Sequence, residues 1–366
     1  MRFVKTLIVP FMLAASVSAQ VPEQRVSVAF SATDAKGNPI RDLSKEQVFV
    51  YDNNQPVPTL DVQNASDLPL HLGIVLLASK KNFNQEQAAV IELAQKVLRP
   101  GKDQAFIVTA GGEKPWPNPR LDWLTDTSAV AETVRGLDKN TGLPDAFNYQ
   151  LTTDSMGTRR LAVQNYNVVG GSSVFDVVWA MMKTDPGPAR RAVVIFRRAT
   201  AHSPGFGERS SQAGEDNHHR VITMAQVLGV AVFTIGVEDQ LPALETARSD
   251  IGNVYAPQSA GEGSAARVYD QNLAREKELQ YSAGRHNVDR IADETGGRSW
   301  WTTKKNYSDA VAGIANELAA QFVVSFAPAT GPAAGAVHPL KVQVSRATRV
   351  SAPRAYILPT EKKANQ

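Results

Sequence analysis

The chain of 366 residues contains no cysteine. This absence excludes disulfide bonds, thiolate nucleophiles, zinc sites with cysteine ligands, iron–sulfur clusters and c-type haem attachment. The sequence also lacks a dominant charge, because 39 basic residues stand against 36 acidic ones and the formal net charge is +3. This near-neutral balance argues against a basic nucleic-acid-binding protein. Glycine (25 residues) and proline (21 residues) are near average, which excludes collagen-like and low-complexity classes.

Long apolar runs are scarce, and the one that resembles a targeting segment stands at the start of the sequence. Arg2 and Lys5 precede the apolar stretch Thr6–Val17, which ends in small residues at Ala19. This pattern is typical of a secretory signal peptide, which we predict at residues 1–19. The stretch is too short for a transmembrane helix. Without it, 37 basic residues face 36 acidic ones, so we expect an exported protein, periplasmic or extracellular, with no nucleic-acid partner and no transmembrane segment.

Continuous apolar runs alternate with helical patterns through the middle of the chain. Leu70–Leu77, Ala192–Phe196 and Val230–Gly236 are typical of strands buried on both faces. Apolar stripes with helical spacing separate them, for example in Ser172–Lys183 and Asn217–Leu228. Strands that alternate with helices of this length predict an α/β fold with a doubly wound, mostly parallel sheet.

Both ends of the chain after residue 19 show strand patterns, with apolar residues alternating in Val26–Ser31 and Leu340–Val344. Val26–Ser31 and Gln47–Tyr51 lie at one end, and Phe322–Phe326 and Leu340–Val344 lie at the other. Each group is too small to fold alone, so we expect the two groups to pair into one small β-sandwich-like domain with the α/β domain inserted. The predicted domains are a signal peptide at 1–19, the N-terminal part of the small β domain at 24–66, the α/β domain at 68–320, and the C-terminal part of the small β domain at 321–360.

Three long stretches fit no helix or strand pattern. They are residues 111–121, 142–167 and 237–285. Loops of this length are usually functional, partner-binding or disordered, and the sequence leaves their role open.

Basic and hydroxylic residues follow two of the predicted parallel strands. Ser79 and Lys81 come after the first strand and Arg198 after the second, while Ser172 stands in a Gly-Gly-Ser-Ser helix start. The binding crevice of an open parallel sheet lies at the carboxyl ends of its strands, and a helix start offers free N–H groups to an anion. These residues favour a crevice for an anion or an acidic partner; a solvated rim is the alternative interpretation.

Several motifs, in this order along the chain, resemble the von Willebrand factor A-related proteins of the acidobacterial type. The motifs are Ala32–Asp52, Gly73–Leu77, Gly170–Asp176 (GGSSVFD), Val230–Gly236, Val288–Arg298 (VDRIADETGGR) and Gln321–Pro328 (QFVVSFAP). The resemblance covers almost all of the chain after residue 19. It implies a von Willebrand factor A-like α/β domain and, in the usual member, a metal-ion-dependent adhesion site.

This sequence departs from the adhesion-site pattern that the resemblance implies. That pattern is Asp-x-Ser-x-Ser after the first strand, a threonine at the head of a later helix, and an aspartate after the fourth strand. Here Leu77 takes the first aspartate position, Ser79 matches the first serine, Lys81 takes the second serine position, Ser172 replaces the threonine, and Arg198 replaces the last aspartate. Divalent cations such as Mg²⁺ and Ca²⁺ need mostly anionic oxygen ligands. Like charges about 4 Å apart repel by roughly 4 kcal/mol at an effective dielectric of about 20. We therefore predict a degenerate site with no metal and no cofactor.

The sequence thus predicts an exported, non-catalytic binding, scaffolding or adhesion module with no catalytic residues. Lys81 and Arg198 would dock an acidic group of an unidentified protein partner or ligand, and the oligomeric state stays open. One alternative is a metal-dependent adhesion module that uses displaced Glu215 and Asp216, which resemble the acidic turn of the family. The other is a secreted hydrolase with an unrecognised Ser-His-Asp triad, because triad members are near in space and not in sequence.

Paired residues elsewhere carry two further predictions. The pairs Arg159–Arg160, Arg190–Arg191 and Arg197–Arg198 fit either a phosphate-binding stripe or ordinary surface charge, and the near-neutral balance favours surface charge.

Trp300–Trp301 falls in a predicted strand, where neighbouring side chains point to opposite faces. This leaves two interpretations, one in which both rings are packed in the core and one in which one ring is exposed as an anchor.

Overall fold

The computed structural model describes most of the region that the sequence predicts to be folded. The described residues are 25–77, 82–110, 114–115, 122–142, 149–153, 159–163, 174–183, 189–198, 211–237, 285–286, 288–302, 307–329 and 335–358. The predicted signal peptide lies outside them.

Strands and helices alternate through the middle of the chain, and strands prevail at both ends. The strands are β1 Val26–Thr33, β2 Val48–Asp52, β3 Gln55–Val57, β4 Thr59–Asn64, β5 Leu70–Leu77, β6 Gln104–Ala110, β7 Lys114–Pro115, β8 Thr141–Gly142, β9 Tyr149–Thr153, β10 Arg159–Val163, β11 Arg190–Arg198, β12 Val230–Val237, β13 Ser299–Thr302, β14 Phe322–Phe326, β15 Val337–Val344, β16 Arg349–Ser351 and β17 Ala355–Ile357. The helices are α1 Phe83–Val97, α2 Thr127–Arg135, α3 Val174–Lys183, α4 Ser211–Leu228, α5 at 288–294 and α6 Tyr307–Ala319. Short 3₁₀ turns cover Lys45–Gln47 and Ala65–Asp67.

Five parallel strands form the central sheet, in the order β13-β12-β11-β5-β6. Its strands are apolar on both faces, so each face must be covered by helices. Helices α1, α2 and α6 pack on one face, and α3, α4 and α5 pack on the other. The predicted α/β class with a doubly wound parallel sheet is confirmed.

Two four-stranded antiparallel sheets form a β-sandwich from both ends of the described chain. Their strand orders are β16-β1-β14-β4 and β17-β15-β2-β3. In the first sheet Phe30 of β1 lies opposite Phe322 of β14. Inward residues such as Val50, Val324 and Val342 share one apolar core with these rings. The predicted pairing of the N-terminal and C-terminal segments is therefore observed, while the residue at which each domain begins stays a prediction.

Polar contacts attach the β-sandwich to the helices of the α/β part. The Ser31 hydroxyl of β1 donates to Oε1 of Glu317 in α6 over 3.0 Å. The backbone N–H of Arg354 donates to the carbonyl of Glu294 in α5 over 3.1 Å. Both sandwich sheets thus have fixed positions relative to the central sheet. No helix among the described residues is long and apolar enough to cross a membrane.

Three sequence predictions about local structure are wrong. Helix α4 begins at Ser211, six residues before the predicted start at Asn217. The stretch 142–167 was expected to contain no regular element, yet β9 and β10 pair there as an antiparallel hairpin with Leu151 opposite Leu161. The short parallel pair of β7 and β8 also places two residues of the predicted loop 111–121 in a strand.

Candidate functional site

The carboxyl ends of the central strands form one edge of the sheet, and the strand register fixes which residues lie there. In the parallel pairing of β5 with β11, Leu76 lies beside Phe196, so Leu77, the last residue of β5, is level with Arg197, one residue before the end of β11. Arg198 lies beside Val237 of β12. The predicted positions Leu77 and Arg198 therefore lie on adjacent strands at this edge.

The strands that lead to this edge are held firmly by their burial. Leu70, Leu72 and Ile74 of β5 are fully buried on one face, and Val75 is fully buried on the other. Phe196 of β11 is fully buried as well. Because tightly packed strands cannot slide past each other without opening cavities, the backbone at Leu77 and Arg198 has a fixed spacing.

The other predicted site residues are only partly accounted for. Ser79, Lys81 and Ser172 lie outside the described residues. Their chain neighbours are placed, because β5 ends at Leu77 and α3 begins at Val174. Since α3 leads back to the start of β11, its N-terminus belongs to the same edge of the sheet. The role of all five positions stays a prediction.

Glu215 and Asp216 do not form a turn. Both belong to α4, whose backbone is helical from Ser211. The hypothesis of an acidic turn at these residues is therefore wrong. Helix α4 connects β11 to β12, so its N-terminus also lies at the carboxyl edge. At about 1.5 Å per residue, the backbone positions 215 and 216 lie about 6–8 Å along the helix axis from Ser211.

A buried carboxylate at this edge was missed from the sequence. Glu86 occupies the first turn of α1, directly after β5, and is 1% exposed. It accepts a hydrogen bond from the Tyr307 hydroxyl of α6 over 3.3 Å. The helix N-terminus favours a negative charge at this place. The signal in the sequence was a glutamate in the first turn of a helix that follows a buried strand.

A second acidic feature comes from the neighbouring strand. Strand β12 ends at Val237, and Glu238 and Asp239 follow it in the sequence. Only basic and hydroxylic residues after the strands were singled out from the sequence, and this acidic pair was not among them. In the part of the chain that the structure describes, no group of three histidine, aspartate or glutamate residues is arranged to hold a metal ion.

The motif at 288–298 has a structural role. Thr295 ends α5, and its hydroxyl accepts a hydrogen bond from the Val232 N–H of β12 over 3.1 Å. Gly296 takes the left-handed backbone conformation with φ of 81°, which glycine adopts at low cost. A side chain at Gly297 would collide with the Val232 carbonyl. The two glycines thus allow the helix end to lie directly against β12.

Comparison with known proteins finds structural matches alone. No protein-family model matches the chain, and no curated protein matches it. The chain is similar to von Willebrand factor type A from Catenulispora acidiphila, with 10% identity over 93% of this chain and 76% of that one, and a TM-score of 0.37. It is also similar to the PilB minor pilin from Streptococcus sanguinis, with 11% identity over 69% and 62% of the two chains and a TM-score of 0.34.

A further match is the structure of three N-terminal domains of the type V pili tip protein Mfa5 from Porphyromonas gingivalis. It has 10% identity over 49% of this chain and a TM-score of 0.23. This chain spans 26% of the length of that structure. The α/β fold of this protein therefore rests on its own strand register and helix packing.

Proposed function

We propose that this protein is an exported, non-catalytic binding or scaffolding module related to von Willebrand factor A domains. In this proposal an acidic group of a partner docks at the carboxyl edge of the central sheet without a bridging cation. The observation that carries the proposal is the register of β5 and β11, which brings the chain positions Leu77 and Arg198 to adjacent strand ends. These are the positions at which the family resemblance expects aspartates.

The residue types at these positions suit an anion better than a cation. A leucine offers no oxygen ligand, and arginine and lysine oppose a divalent ion electrostatically. Arginine can instead form two parallel hydrogen bonds to a carboxylate, and lysine adds a point charge. Lys81 and Arg198 would then supply directly the positive charge that a bound metal ion supplies in related proteins.

Charge reversal tests this docking mode. We expect the double variant K81E/R198E to bind a hexaglutamate peptide at least about tenfold more weakly than the wild-type chain, measured by calorimetry at low salt. The matched control is R41E/K45E, which reverses one exposed arginine and one exposed lysine of the β-sandwich region. Equal affinity for the wild type and K81E/R198E would refute the docking mode.

A second candidate function is a metal-dependent adhesion module. The observation in its favour is that α1 and α4 both begin at this edge by topology, with Glu86 in the first turn of α1 and the chain positions Glu215 and Asp216 in the second turn of α4. A ligand that binds the native state alone raises the melting temperature. A higher melting temperature in magnesium or calcium than in EDTA, abolished by E215Q/D216N, would favour this candidate.

The absence of catalysis belongs to the proposal as well. A hydrolase with a Ser-His-Asp triad would carry an activated serine, which reacts with fluorophosphonates. We expect no labelling of the folded chain by a fluorophosphonate probe, and labelling that heat denaturation removes would identify the protein as a hydrolase.

A further inference from the structure

A cavity of about 590 Å³ lies at the other edge of the central sheet, where it meets the β-sandwich. Its walls come from β1 and β14 of the sandwich, the end of α4, and the starts of β11 and β12. The volume falls within the range of small-molecule sites in proteins, which is about 300–1,000 Å³. The cavity therefore has the size of a ligand site.

The charge of the cavity wall is of one sign. Among the described residues that line it, three are arginines, Arg25, Arg190 and Arg191, and none is an aspartate or glutamate. Of these, Arg25 is exposed and forms an ion pair with Asp61 over 3.5 Å. The deeper charge comes from the Arg190–Arg191 pair, which opens β11.

Arg190 is the central residue of this site. It is 6% exposed, so the prediction of ordinary surface charge for this pair is wrong at Arg190. One guanidinium nitrogen, Nη1, donates to the Leu318 carbonyl of α6 over 2.6 Å. Its Nε–H is buried and has no acceptor among the described residues. A buried guanidinium with an unmet donor is costly, and Arg190 also lines the cavity, so an anion bound in the cavity would stabilise its charge.

The electrostatic surroundings of Arg190 favour a negative charge beside it. Burial, together with a smaller effect of the charge of Arg99, lowers the pKa of Arg190 to about 10, and the charge of Asp103 acts in the opposite direction. Asp103 is itself ion-paired with Arg99 at 2.7 Å. The negative charge of Asp103 is therefore paired with Arg99, and it only partly compensates the positive charge of Arg190.

The remaining wall is both polar and apolar. The hydroxyls of Ser27 and Ser325 lie 2.8 Å apart on neighbouring strands and form a small polar patch. Leu228, Val230 and Ile357 contribute apolar surface to the same cavity. The lining therefore suits a molecule with an acidic head and an apolar body more than a fully hydrated inorganic anion.

We propose that this cavity binds a small carboxylate with an apolar body, whose carboxylate accepts hydrogen bonds from Arg190. Arg191, the next residue of β11, points to the other face of the sheet, where its Nη1 donates to the Leu228 carbonyl over 3.2 Å, and it adds a second positive charge to the cavity wall. The site is separate from the carboxyl edge, because Arg190 and Arg198 begin and end β11 and lie about 26 Å apart at about 3.3 Å per residue.

Calorimetry of the full chain with three probes, hexanoate, decanoate and phenylbutyrate, tests the proposal. We expect at least one of them to bind, and its neutral alcohol analogue to bind about tenfold or more weakly, as the loss of a charged hydrogen bond predicts. Arg190→Gln should remove the difference between acid and alcohol, and Arg190→Lys should retain part of it. Arg41→Gln, at an exposed arginine outside the cavity, should change nothing.

A second variant keeps the test decisive if Arg190→Gln does not fold. Ala29→Phe fills the cavity from β1, on the side opposite the sandwich core, and leaves Arg190 in place. Loss of binding in a folded Ala29→Phe protein supports the site. Binding of none of the three acids by the wild type, equal binding of acid and alcohol, or unchanged binding in the folded variants would overturn it. None of these outcomes depends on Lys81 or Arg198, so the proposed docking function is tested independently.

Discussion

At the scale of single residues, Asp103 shows how one buried charge can join several segments. It is 1% exposed and accepts hydrogen bonds at 2.7–2.8 Å from the Leu70 N–H, the Arg99 N–H and the Arg99 guanidinium. Burial favours a raised pKa for Asp103, but these hydrogen bonds outweigh it and hold the pKa below its usual range. The carboxylate thus fixes the start of β5 against the turn before β6.

We expect Asp103→Asn to lower the free energy of unfolding by about 3 kcal/mol at neutral pH, since it leaves Arg99 without its partner. The folded pKa is depressed, so the stabilisation is full above the unfolded pKa of about 3.9 and is lost as the pH falls through the folded pKa. Urea unfolding at several pH values should therefore show the gap between wild type and variant shrinking below about pH 4.

The control for this prediction is Glu132→Gln, which neutralises an exposed carboxylate of α2. Its unfolding free energy should stay within about 0.5 kcal/mol of the wild type. A gap for Asp103→Asn that is constant from pH 7 to pH 3 would show that the charge of Asp103 does not contribute.

The sequence alone allowed a prediction of which residue types stand at the candidate site, but it did not allow a prediction of which charged side chains are buried. The departures at Leu77 and Arg198 follow from the sequence, because each stands at a fixed offset from an apolar strand. The burial of Arg190 does not, because it depends on β-sandwich strands far away in sequence. Glu86 was missed for the same reason, since its partner Tyr307 is 221 residues away.

At the scale of elements, apolar periodicity predicted the buried strands well and the polar elements poorly. The predicted strand at 70–77 agrees with β5 at both ends. The start of α4 was missed because its first ten residues, 211–220, carry no apolar stripe. Among the residues of α4 whose burial is described, Val221 is the first that is buried. The β9–β10 hairpin was missed because threonines and arginines interrupt its alternation. Local patterns fail where polar residues form regular structure.

The two tryptophans of β13 point to opposite faces, as predicted, and both are partly buried. Trp300 packs on the core under α1 and α6, with its ring 6.2 Å from Phe233. Trp301 packs on the other core and donates from Nε1 to Asp289 over 2.8 Å. Neither ring is an exposed anchor. Packing of the two rings on opposite faces therefore attaches the edge strand β13 to both apolar cores.

Removal of either ring should therefore loosen β13. We expect Trp300→Ala to lower the free energy of unfolding by about 2 kcal/mol, less than for a fully buried aromatic because the ring is partly exposed. Phe49→Ala provides the control, because Phe49 lies on β2 with 48% of its surface exposed. Denaturant unfolding should show little change for Phe49→Ala, and equal losses for both variants would refute the packing role of Trp300.

At the scale of the whole molecule, the N-terminal and C-terminal segments of the described chain pair with each other in the β-sandwich. Strand β14 lies between β1 and β4, and β15 lies between β17 and β2. This arrangement could be predicted from the small size of both end segments, since neither could form a core alone. The strand order within each sheet could not, because it depends on contacts between distant residues.

A chain that begins at Leu68 should consequently fail to fold as a soluble monomer. Without β1 to β4, the inward faces of β14 and β15, including Phe322, Val324 and Val342, lose their apolar cover and their strand partners. The control chain begins at Arg25 and retains all described strands. Size-exclusion chromatography should show aggregation for the shorter chain alone, and a soluble monomer with an unchanged melting temperature would contradict the shared core.

The central claim is that the carboxyl edge binds an acidic group without a metal ion, and the affinity for a hexaglutamate peptide in EDTA and in magnesium tests it most directly. The proposed function predicts binding in EDTA with the same dissociation constant as in magnesium, weakened by salt because exposed charges are screened. Binding that occurs in magnesium and disappears in EDTA would contradict the claim and support a metal-dependent adhesion site.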